Sequence, residues 1–415
     1  MSRETGESQL SPYRVLDLTD FRGFLCGKIL ADFGADVIKI ERPGGDTSRN
    51  IGPFYHDVSD PEKSLFWFAY NTSKKGITLD IENRDGQEIF KRLAKTADVV
   101  IESFPPGHME KLGLAYPALK DINPGIILTS ITPFGQTGPY QDYKASDIVT
   151  MAMGGLMYIS GYPDRAPLRC IVDQSYPQAG AQAAGGTMIA LYYRELTGKG
   201  QQVDVSMQEC ILPTLYQTLY AWELENTIMG REGVSVARRP IVRRNIFACK
   251  DGYIAWQVMV GQFGRRQRAL VEYMDSEGMA GDLKKVNWEA IDYNELKQEQ
   301  LEHWEQVSQA FFLTHTKAEL HEEAVKRGIL LCPVATCEDI LRDKQLASRH
   351  FWIKVEHPEL EGSLTYPGAP AQLSEAPWRI SRRAPLIGEH NEEIYQEELG
   401  LSDEEMVILK QGNVI

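Results

Sequence analysis

A chain of 415 residues, 43% of them hydrophobic and 25% charged, is long enough for about two or three globular domains with their own cores. Its formal net charge of −14 argues against nucleic acid as the main partner, because phosphate backbones are bound by basic faces. The six cysteines form no C-x-x-C pair and no zinc-ligand spacing. Neither the N-terminal residues nor any apolar segment predicts a signal peptide or a membrane span, so a cytoplasmic protein without a metal is expected.

The first third of the chain alternates short apolar segments with segments of helical periodicity. Strands are predicted at Arg14–Leu18, Asp36–Ile40, Gly76–Leu79, Val99–Ile101 and Gly125–Ser130. Helices are predicted between them at Leu25–Phe33 and Asp85–Lys95. This alternation indicates an α/β fold with a doubly wound parallel sheet. Ligands bind beyond the carboxyl ends of such strands, so the loops at 19–22, 42–46 and 102–107 are expected along one binding rim.

The rest of the chain predicts a second domain and a return to the first. A long helix at Ala179–Leu196, a VDVSM strand and a helix at Cys210–Asn226 are followed by a charged, mostly helical region with a hairpin at Phe247–Val258. We expect a large Rossmann-like domain over 1–205, a linker helix over 206–225 and a smaller α+β domain over 226–340. A linker over 341–385 and C-terminal helices over 386–415, packed on the large domain, complete the predicted organisation.

Seven motifs occur in order along the chain: VLDLT, FGADVIKIERPGGD, NTSKKGITLD, ADVVIESFPPG, NPGIILTSITPFGQTGPY, TGKGQQVDVSMQ and PLIGEH. Together they resemble the family III CoA-transferases of the formyl-CoA transferase and carnitine CoA-transferase type. The resemblance implies coenzyme A and acyl-CoA as substrates and an interlocked, ring-like dimer. It also implies that an enzyme aspartate attacks the acyl-CoA thioester, forming first a mixed anhydride and then an enzyme-bound thioester.

The catalytic aspartate of that family stands four residues before a glycine, where a helix leads into TGKGQ. Here the glycine is Gly180 and the residue four before it is Tyr176. A phenol ionises near pH 10, and an acylated phenol has no enzyme carbonyl for CoA to attack, so Tyr176 cannot replace the aspartate. Asp173 is the remaining candidate nucleophile. On an extended chain it would lie about 10 Å from the required place, so a loop or cap role is favoured.

The resemblance also implies a CoA site. The matching positions are Arg22, Arg42, Leu79, Ser103, Phe104, Lys111 and Lys144. Arg42 corresponds to an arginine at the adenosine phosphate end of CoA, and Phe104 offers a ring face to the adenine. The two lysines correspond to basic positions near the phosphates and the pantetheine arm. For Arg42 and both lysines, an ordinary solvated surface charge is the alternative interpretation.

Further segments depart from the family pattern. The glycine-rich loop that covers the aspartate is not evident in VMVGQFGRR at Val258–Arg266, which has only isolated glycines. Racemases of this fold need a histidine before the aspartate of Ala145–Ser146–Asp147, where this chain has serine, so racemisation is not expected. A cationic series consists of Arg238, Arg239, Arg243 and Arg244. It could meet substrate carboxylates, CoA or a partner chain, or simply form a solvated basic strip.

Without its own aspartate, the chain is expected to be a non-catalytic subunit in a heterodimer or heterotetramer with a homologous catalytic subunit. This arrangement resembles the two-subunit benzylsuccinate CoA-transferases of anaerobic toluene degradation, which use succinyl-CoA as donor. Two alternatives remain open: a self-sufficient homodimer that uses Asp173, and a CoA-binding assembly protein without turnover. No nucleic acid or membrane partner is expected.

Overall fold

The computed structural model describes residues 8–238 and 241–415, except for the side chains of residues 236–238. Its strands are β1 Arg14–Asp17, β2 Asp36–Glu41, β3 Lys75–Thr78, β4 Val99–Glu102, β5 Ile127–Thr132, β6 Gln202–Ser206, β7 Ser235–Arg238, β8 Ile241–Arg244, β9 Ile246–Cys249, β10 Gly252–Trp256, β11 Leu331–Pro333, β12 Trp352–His357 and β13 Gly362–Pro367.

Its helices are α1 Phe24–Asp32, α2 Leu65–Tyr70, α3 Arg84–Ala94, α4 His108–Lys111, α5 Tyr116–Ile122, α6 Asp147–Met153, α7 Ser175–Thr197, α8 Met207–Ile211, α9 Tyr216–Glu225, α10 Gly264–Ser276, α11 Gln298–Phe312, α12 Lys317–Arg327, α13 Cys337–Leu341, α14 Lys344–Ser348 and α15 Asp403–Gln411. The chain forms two compact units. One comprises residues 8–156, 169–220 and 345–415, and the other comprises 157–168 and 221–344.

The first unit is built on a six-stranded sheet in the order β3-β2-β1-β4-β5-β6. Every pair of neighbouring strands in it is parallel. The strand order reverses between β1 and β4, so the crevice beyond their carboxyl ends is the topological switch point at which such sheets bind ligands. The predicted α/β class with a parallel sheet is confirmed.

Alternate residues of the strands point to opposite faces of this sheet, as the period of a β-strand requires. Val15, Val37 and Val99 belong to a core that includes α1 and α7. Leu16 and Ile38 belong to a second core that includes α3, α5 and the C-terminal residues up to Ile415. Both faces are therefore covered, which explains why nearly every residue of the central strands is buried, the polar residues Asp17, Lys39 and Glu102 included.

Helix α7 begins four residues earlier than the sequence predicts. The Oδ1 atom of Asp147 accepts the backbone N–H groups of Gln174 and Ser175 at 2.8 Å each, and the Ser175 hydroxyl at the same distance. A carboxylate from a separate helix thus satisfies donors that the first turn leaves free. The helix ends at Gly198, whose φ of 71° is a left-handed C-cap.

The second unit contains the predicted hairpin as the antiparallel pair β9–β10, with β11 alongside β10. Its core is rich in aromatic side chains, including Phe247, Trp256 and Trp304. The charged region of this unit, for which the sequence predicts helix over Val286–Glu323, is only partly helical. Residues 286–297 contain a 3-10 turn at Tyr293–Glu295, and helices α11 and α12 follow.

Two further expectations differ from the structure. The segment 341–385, predicted as a linker, contains the β12–β13 hairpin, which belongs to the first unit and packs Val355 and Tyr366 with Trp67 and Phe68. The helix predicted over 210–226 is interrupted by a 3-10 turn at Leu212–Leu215, where a proline lacks the amide donor that a continuous helix needs. The segment after 385 packs on the first unit: the Tyr395 hydroxyl donates to the Thr78 carbonyl at 2.6 Å.

Candidate active site

The crevice beyond β1 and β4 is closed by contacts between two loops that the sequence placed on one rim. The Asp20 N–H donates to Ser103 Oγ at 2.9 Å, and the Ser103 hydroxyl donates to Asp20 Oδ1 at 3.0 Å. The Arg22 guanidinium pairs with Asp20 and donates to the Ser103 carbonyl at 2.9 Å. Arg22 and Ser103 are therefore brought together, as expected of residues that share a binding rim.

A buried ionic network lies under this crevice. Lys74 Nζ donates to Asp17 Oδ2 at 2.8 Å, Lys39 Nζ lies 3.8 Å from Asp17 Oδ1, and all three side chains are fully buried. Burial alone would raise the pKa of Asp17, but Lys74 and Lys39 outweigh it and hold the pKa below its ordinary value. Asp17 Oδ1 also accepts the Thr19 N–H at 2.9 Å, so this network orders the loop that follows β1.

Glu102, at the end of β4, is a second buried carboxyl group beside the crevice. It is 3% exposed and accepts the Phe104 N–H at 2.7 Å. Burial raises the pKa of Glu102 to about 7, although hydrogen bonds from Ser130 and the Phe104 amide act in the opposite direction. The neighbour of Ser103 is thus a carboxyl group that gains or loses its proton near neutral pH.

The residues expected at the adenosine end of CoA form a contiguous exposed patch. Arg42 pairs with Glu82, and Glu82 Oε1 lies 4.0 Å from His108 Nε2. The Phe104 and His108 rings lie 4.6 Å apart with an interplanar angle of 34°. Lys111 ends the same short helix α4 and is exposed. His108 and the pairing of Arg42 with Glu82 were not anticipated from the sequence.

Leu79 and Lys144 have a looser connection with this patch. The Leu79 side chain is buried, and its N–H donates to the Glu41 carbonyl at 2.6 Å, so the side chain belongs to the core. A role near a ligand would therefore fall to the backbone that follows it. Lys144 is exposed just before α6, with no hydrogen bond or ion pair to another described residue of the expected CoA site.

Tyr176 lines a cleft of about 640 Å³ at the N-terminus of α7. Its side chain is 7% exposed and lies edge-on to Phe21, with the ring centres 5.4 Å apart. Burial raises the pKa of the Tyr176 phenol above its ordinary value of 10, so the group is neutral at physiological pH. The remaining lining residues are Leu25, Phe66, Tyr70, Arg169, Ile171, Val172, Asp173, Gln174 and Pro177.

Two carboxylates lie near Tyr176: that of Asp173 forms an ion pair, and that of Asp147 accepts hydrogen bonds. Asp173 Oδ1 is 2.9 Å from Arg169 Nη2, and the Asp173 side chain is 41% exposed. Burial and the nearby Asp147 raise the pKa of Asp173, whereas Arg169 lowers it. The Asp147 side chain is only 4% exposed, and its Oδ1 atom caps α7. Its Oδ2 atom has no hydrogen-bond partner among the described residues and lies 3.9 Å from Arg169 Nε. Arg169 was not predicted from the sequence, because no motif includes it.

Residues 10–391 match the family model described as CoA-transferase family III. The chain belongs to CoA-transferase family III. Within this family it is 36% identical to the succinyl-CoA:(R)-benzylsuccinate CoA-transferase subunit BbsE of Thauera aromatica, over 93% of each chain. It is 31% identical, over the full length of both chains, to the succinyl-CoA–D-citramalate CoA-transferase of Chloroflexus aurantiacus. The family resemblance inferred from the seven motifs is confirmed.

A solved structure of a CAIB/BAIF family protein from Brucella suis has the same fold. It matches with a TM-score of 0.81 and 28% identity, covering 94% of this chain and all of that chain. Membership of family III makes the chain a CoA-transferase in kind, with CoA thioesters as the substrates of its family. Across residues 8–238 and 241–415, no helix has both the length and the apolar character that a membrane crossing requires.

Proposed function

We propose that this chain is the non-catalytic subunit of a heteromeric CoA-transferase. The enzyme would move CoA from succinyl-CoA to a carboxylic acid of the benzylsuccinate kind. The observation that carries this proposal is the neutral, buried phenol of Tyr176 in the first turn of α7, where the family motif has its nucleophilic aspartate. The CoA site would comprise Arg22, Arg42, Leu79, Ser103, Phe104, Lys111 and Lys144.

The reaction needs a carboxylate that can be acylated and then exchange its acyl group. The aspartate of the partner attacks the thioester, the CoA thiolate leaves, and a mixed anhydride forms. The thiolate then attacks the carbonyl of the aspartate, which releases the donor acid and leaves CoA bound to the enzyme as a thioester. The acceptor carboxylate then attacks that thioester and displaces the CoA thiolate, which gives a mixed anhydride of the acceptor and the aspartate. The thiolate attacks the acceptor carbonyl of this anhydride, forming the product CoA thioester and releasing the aspartate carboxylate. A neutral phenol can perform none of these steps.

Neither nearby carboxylate compensates for the missing aspartate. Asp147 is almost fully buried, and one of its oxygens already accepts three donors at the start of α7. Asp173 precedes α7 and forms an ion pair with Arg169, which lowers its nucleophilicity. A misplacement of about 1 Å already costs on the order of a hundredfold in rate, so a carboxylate three positions from the motif position is a poor substitute.

A partner chain is supported by exposed apolar surface. On α7, Ile189, Tyr192 and Leu196 share one face and are 71%, 67% and 68% exposed. No side chain of α9 is buried, although this helix carries Tyr220, Trp222 and Leu224. Exposed apolar areas of this extent mark interaction surfaces. The relative from Thauera aromatica is itself named as a subunit, which supports a homologous chain as the partner.

Purification of the chain alone and with a homologous subunit that bears the motif aspartate tests the proposal. We expect the chain alone to transfer no CoA from succinyl-CoA to benzylsuccinate and to form no hydroxylamine-sensitive acyl-enzyme. The assembled complex should be active, and Tyr176→Phe should keep its activity within about twofold because the phenol oxygen takes no part in the chemistry. Substitution of the partner's motif aspartate by alanine should abolish turnover. Activity of the chain alone would contradict the proposal.

The second candidate function is a self-sufficient homodimer that uses Asp173. It is favoured by one observation: Asp173 and Tyr176 line the same cleft. If Asp173 is the nucleophile, the isolated chain is active and Asp173→Ala lowers kcat by several orders of magnitude. If both the isolated chain and the complex bind CoA in calorimetry without any turnover, a non-catalytic assembly protein is the correct description.

A further inference from the structure

The second unit has a cleft of its own, with a volume of about 610 Å³. It lies where β8 meets the segment that connects β10 to α10. The lining residues that matter here are Arg243, Met259, Phe263, Arg266, Ile291 and Leu330. Two guanidinium groups thus share a cleft whose walls are largely hydrocarbon, and the volume is typical of a small-molecule site.

The two arginines of this cleft form no ion pair with the residues that the structure describes, although Arg243 is near enough to Glu305 to lower the pKa of that carboxyl group. Neither Arg243 nor Arg266 forms an ion pair with a described residue, and the buried Nε of Arg243 has no hydrogen-bond partner among them. Arg243 lies over the Tyr293 ring, 5.2 Å from its centre. Asp292 also lines the cleft, but its Oδ1 already accepts the Asn294 N–H at 2.9 Å. The described lining therefore carries a net positive charge.

The cleft of the first unit differs in charge. There, the charged lining residues are Arg169 and Asp173, which form an ion pair at 2.9 Å, and Arg169 also lies 3.9 Å from the buried Asp147, so its charge is already compensated. An unpaired donor in an apolar cleft costs free energy until an acceptor reaches it. Of the two clefts, the one in the second unit thus has the charge balance that attracts an anionic ligand.

The glycines of VMVGQFGRR hold one wall of the cleft in a fixed shape. Gly261 has a φ of +61°, a conformation that favours glycine, and its N–H donates to the Trp288 carbonyl at 2.9 Å. A Cβ atom on Gly264, where α10 begins, would lie 2.4 Å from the Trp288 backbone. This turn is thus packed against the backbone of Trp288. Because the wall is already ordered, the entropic cost of binding a ligand is lower.

We propose that this cleft binds an organic carboxylate with an aryl or branched hydrocarbon body. The ligand carboxylate accepts from the guanidinium groups of Arg243 and Arg266, which suit its planar geometry. The hydrocarbon body covers Met259, Phe263, Ile291 and Leu330 and leaves water. This site is additional to the CoA residues of the first unit, and its test needs no turnover, so it stands or falls separately from the proposed function.

Calorimetry on the full chain, alone and in its native complex, tests the proposal with 3-phenylpropanoate as the probe. We expect saturable binding, and we expect Arg243→Gln and Arg266→Gln each to weaken it about tenfold or more, as loss of a charge-assisted pair does. The control is Arg265→Gln, the same change one position earlier on α10 at a residue outside this cleft's lining, which should change Kd by less than about twofold. Thermal unfolding of each variant verifies folding, and Arg266→Gln keeps the test valid if loss of the Arg243–Tyr293 contact unfolds the chain.

Three further probes decide the chemistry of the ligand. 3-Phenylpropanamide, which lacks the charge, should bind at least about tenfold more weakly than the acid, and so should acetate, which lacks the hydrocarbon body. Inorganic phosphate should not displace 3-phenylpropanoate. Equal competition by phosphate would overturn the proposal in favour of a general anion site. Binding that is unchanged in both Arg243→Gln and Arg266→Gln would overturn it outright.

Discussion

At the scale of single residues, Glu102 is the group whose protonation is most closely tied to the crevice. It lies between the Ser130 hydroxyl and the Phe104 amide, directly before Ser103, which binds the loop containing Asp20. Burial favours the neutral acid, so its pKa rises to about 7 in the folded protein. Ionisation of Glu102 therefore acts against folding rather than for it.

We predict that Glu102→Gln changes how stability depends on pH. Between about pH 4.5 and pH 7 the unfolded chain loses this proton while the folded chain keeps it, so the free energy of unfolding falls as pH rises through that window and levels off above it. A shift from 4.5 to about 7 corresponds to about 3 kcal/mol. Urea unfolding at pH 5 and pH 8 should show wild type losing about 2.5 kcal/mol more than the variant, because part of the shift is already expressed at pH 5.

The exposed Glu404→Gln is the control for this measurement, because it removes a carboxyl group that lies at the surface. Its difference from wild type should be the same at both pH values. Parallel stability curves for wild type and Glu102→Gln would show that Glu102 ionises normally and that the buried acid is not a feature of the folded protein.

Sequence reasoning found some of these residues and missed others for a physical reason. Arg22 and Ser103 could be placed on one rim because the carboxyl ends of parallel strands meet at one edge. The pairing of Asp17 with Lys74 joins residues 57 positions apart. Such a contact depends on the order of the strands in the sheet and on which side chains that order buries. Similarly, the sequence identified Asp147 but gave no sign that it caps α7.

At the scale of elements, the packing of α7 on α1 depends on small side chains. A Cβ atom on Gly180 would lie 2.9 Å from Leu25 Cβ and 3.2 Å from the Cys26 backbone nitrogen. Gly185, further along the same helix, has no such neighbour within 4 Å. The close approach of the two helices is therefore needed at Gly180, the glycine that follows the motif position, and not at Gly185.

We predict opposite effects for alanine at these two glycines. Gly180→Ala should lower the free energy of unfolding by about 1–3 kcal/mol, because the added methyl group has no room against α1. Gly185→Ala is the matched control and should raise it by about 0.5–1 kcal/mol, since alanine restricts the unfolded chain and favours helix. Chemical denaturation of the two variants measures both values. A destabilising Gly185→Ala, or a neutral Gly180→Ala, would contradict this account of the helix pair.

The elements that periodicity predicted best are those whose burial is regular. The central strands contribute apolar side chains to the cores on both faces of the sheet, and α3 separates its apolar and polar sides, so their patterns are clear. The β12–β13 hairpin was missed because charged and exposed residues alternate with Val355 and Tyr366. These two residues are recognisable as core positions only through their packing with the core around Trp67. Residues 286–297, part of the region predicted as charged and mostly helical, do not form an α-helix, because charge composition alone is a weak helical signal.

At the scale of the whole molecule, the apolar surface of α7 is the strongest indication that the chain does not function alone. Ile189 and Tyr192 are more than two-thirds exposed, whereas Ala183 and Ala184 on the same helix are buried. One side of α7 therefore completes the core of the first unit, and the other side remains available for a second chain. Aromatic and aliphatic side chains of this kind provide much of the binding energy at protein interfaces.

We predict that the double variant Ile189→Glu with Tyr192→Glu weakens assembly with the homologous subunit of the proposed complex at least about a hundredfold, because two carboxylates would have to be buried at the interface. The melting temperature of the isolated chain should change little, since neither side chain contributes to its core. Lys95→Glu, an exposed position after α3, produces the same change of two charge units and should leave assembly within about twofold of wild type. Analytical ultracentrifugation of mixed subunits measures the affinity. A complex that forms equally well with the double variant would show that this face of α7 is not where the partner binds.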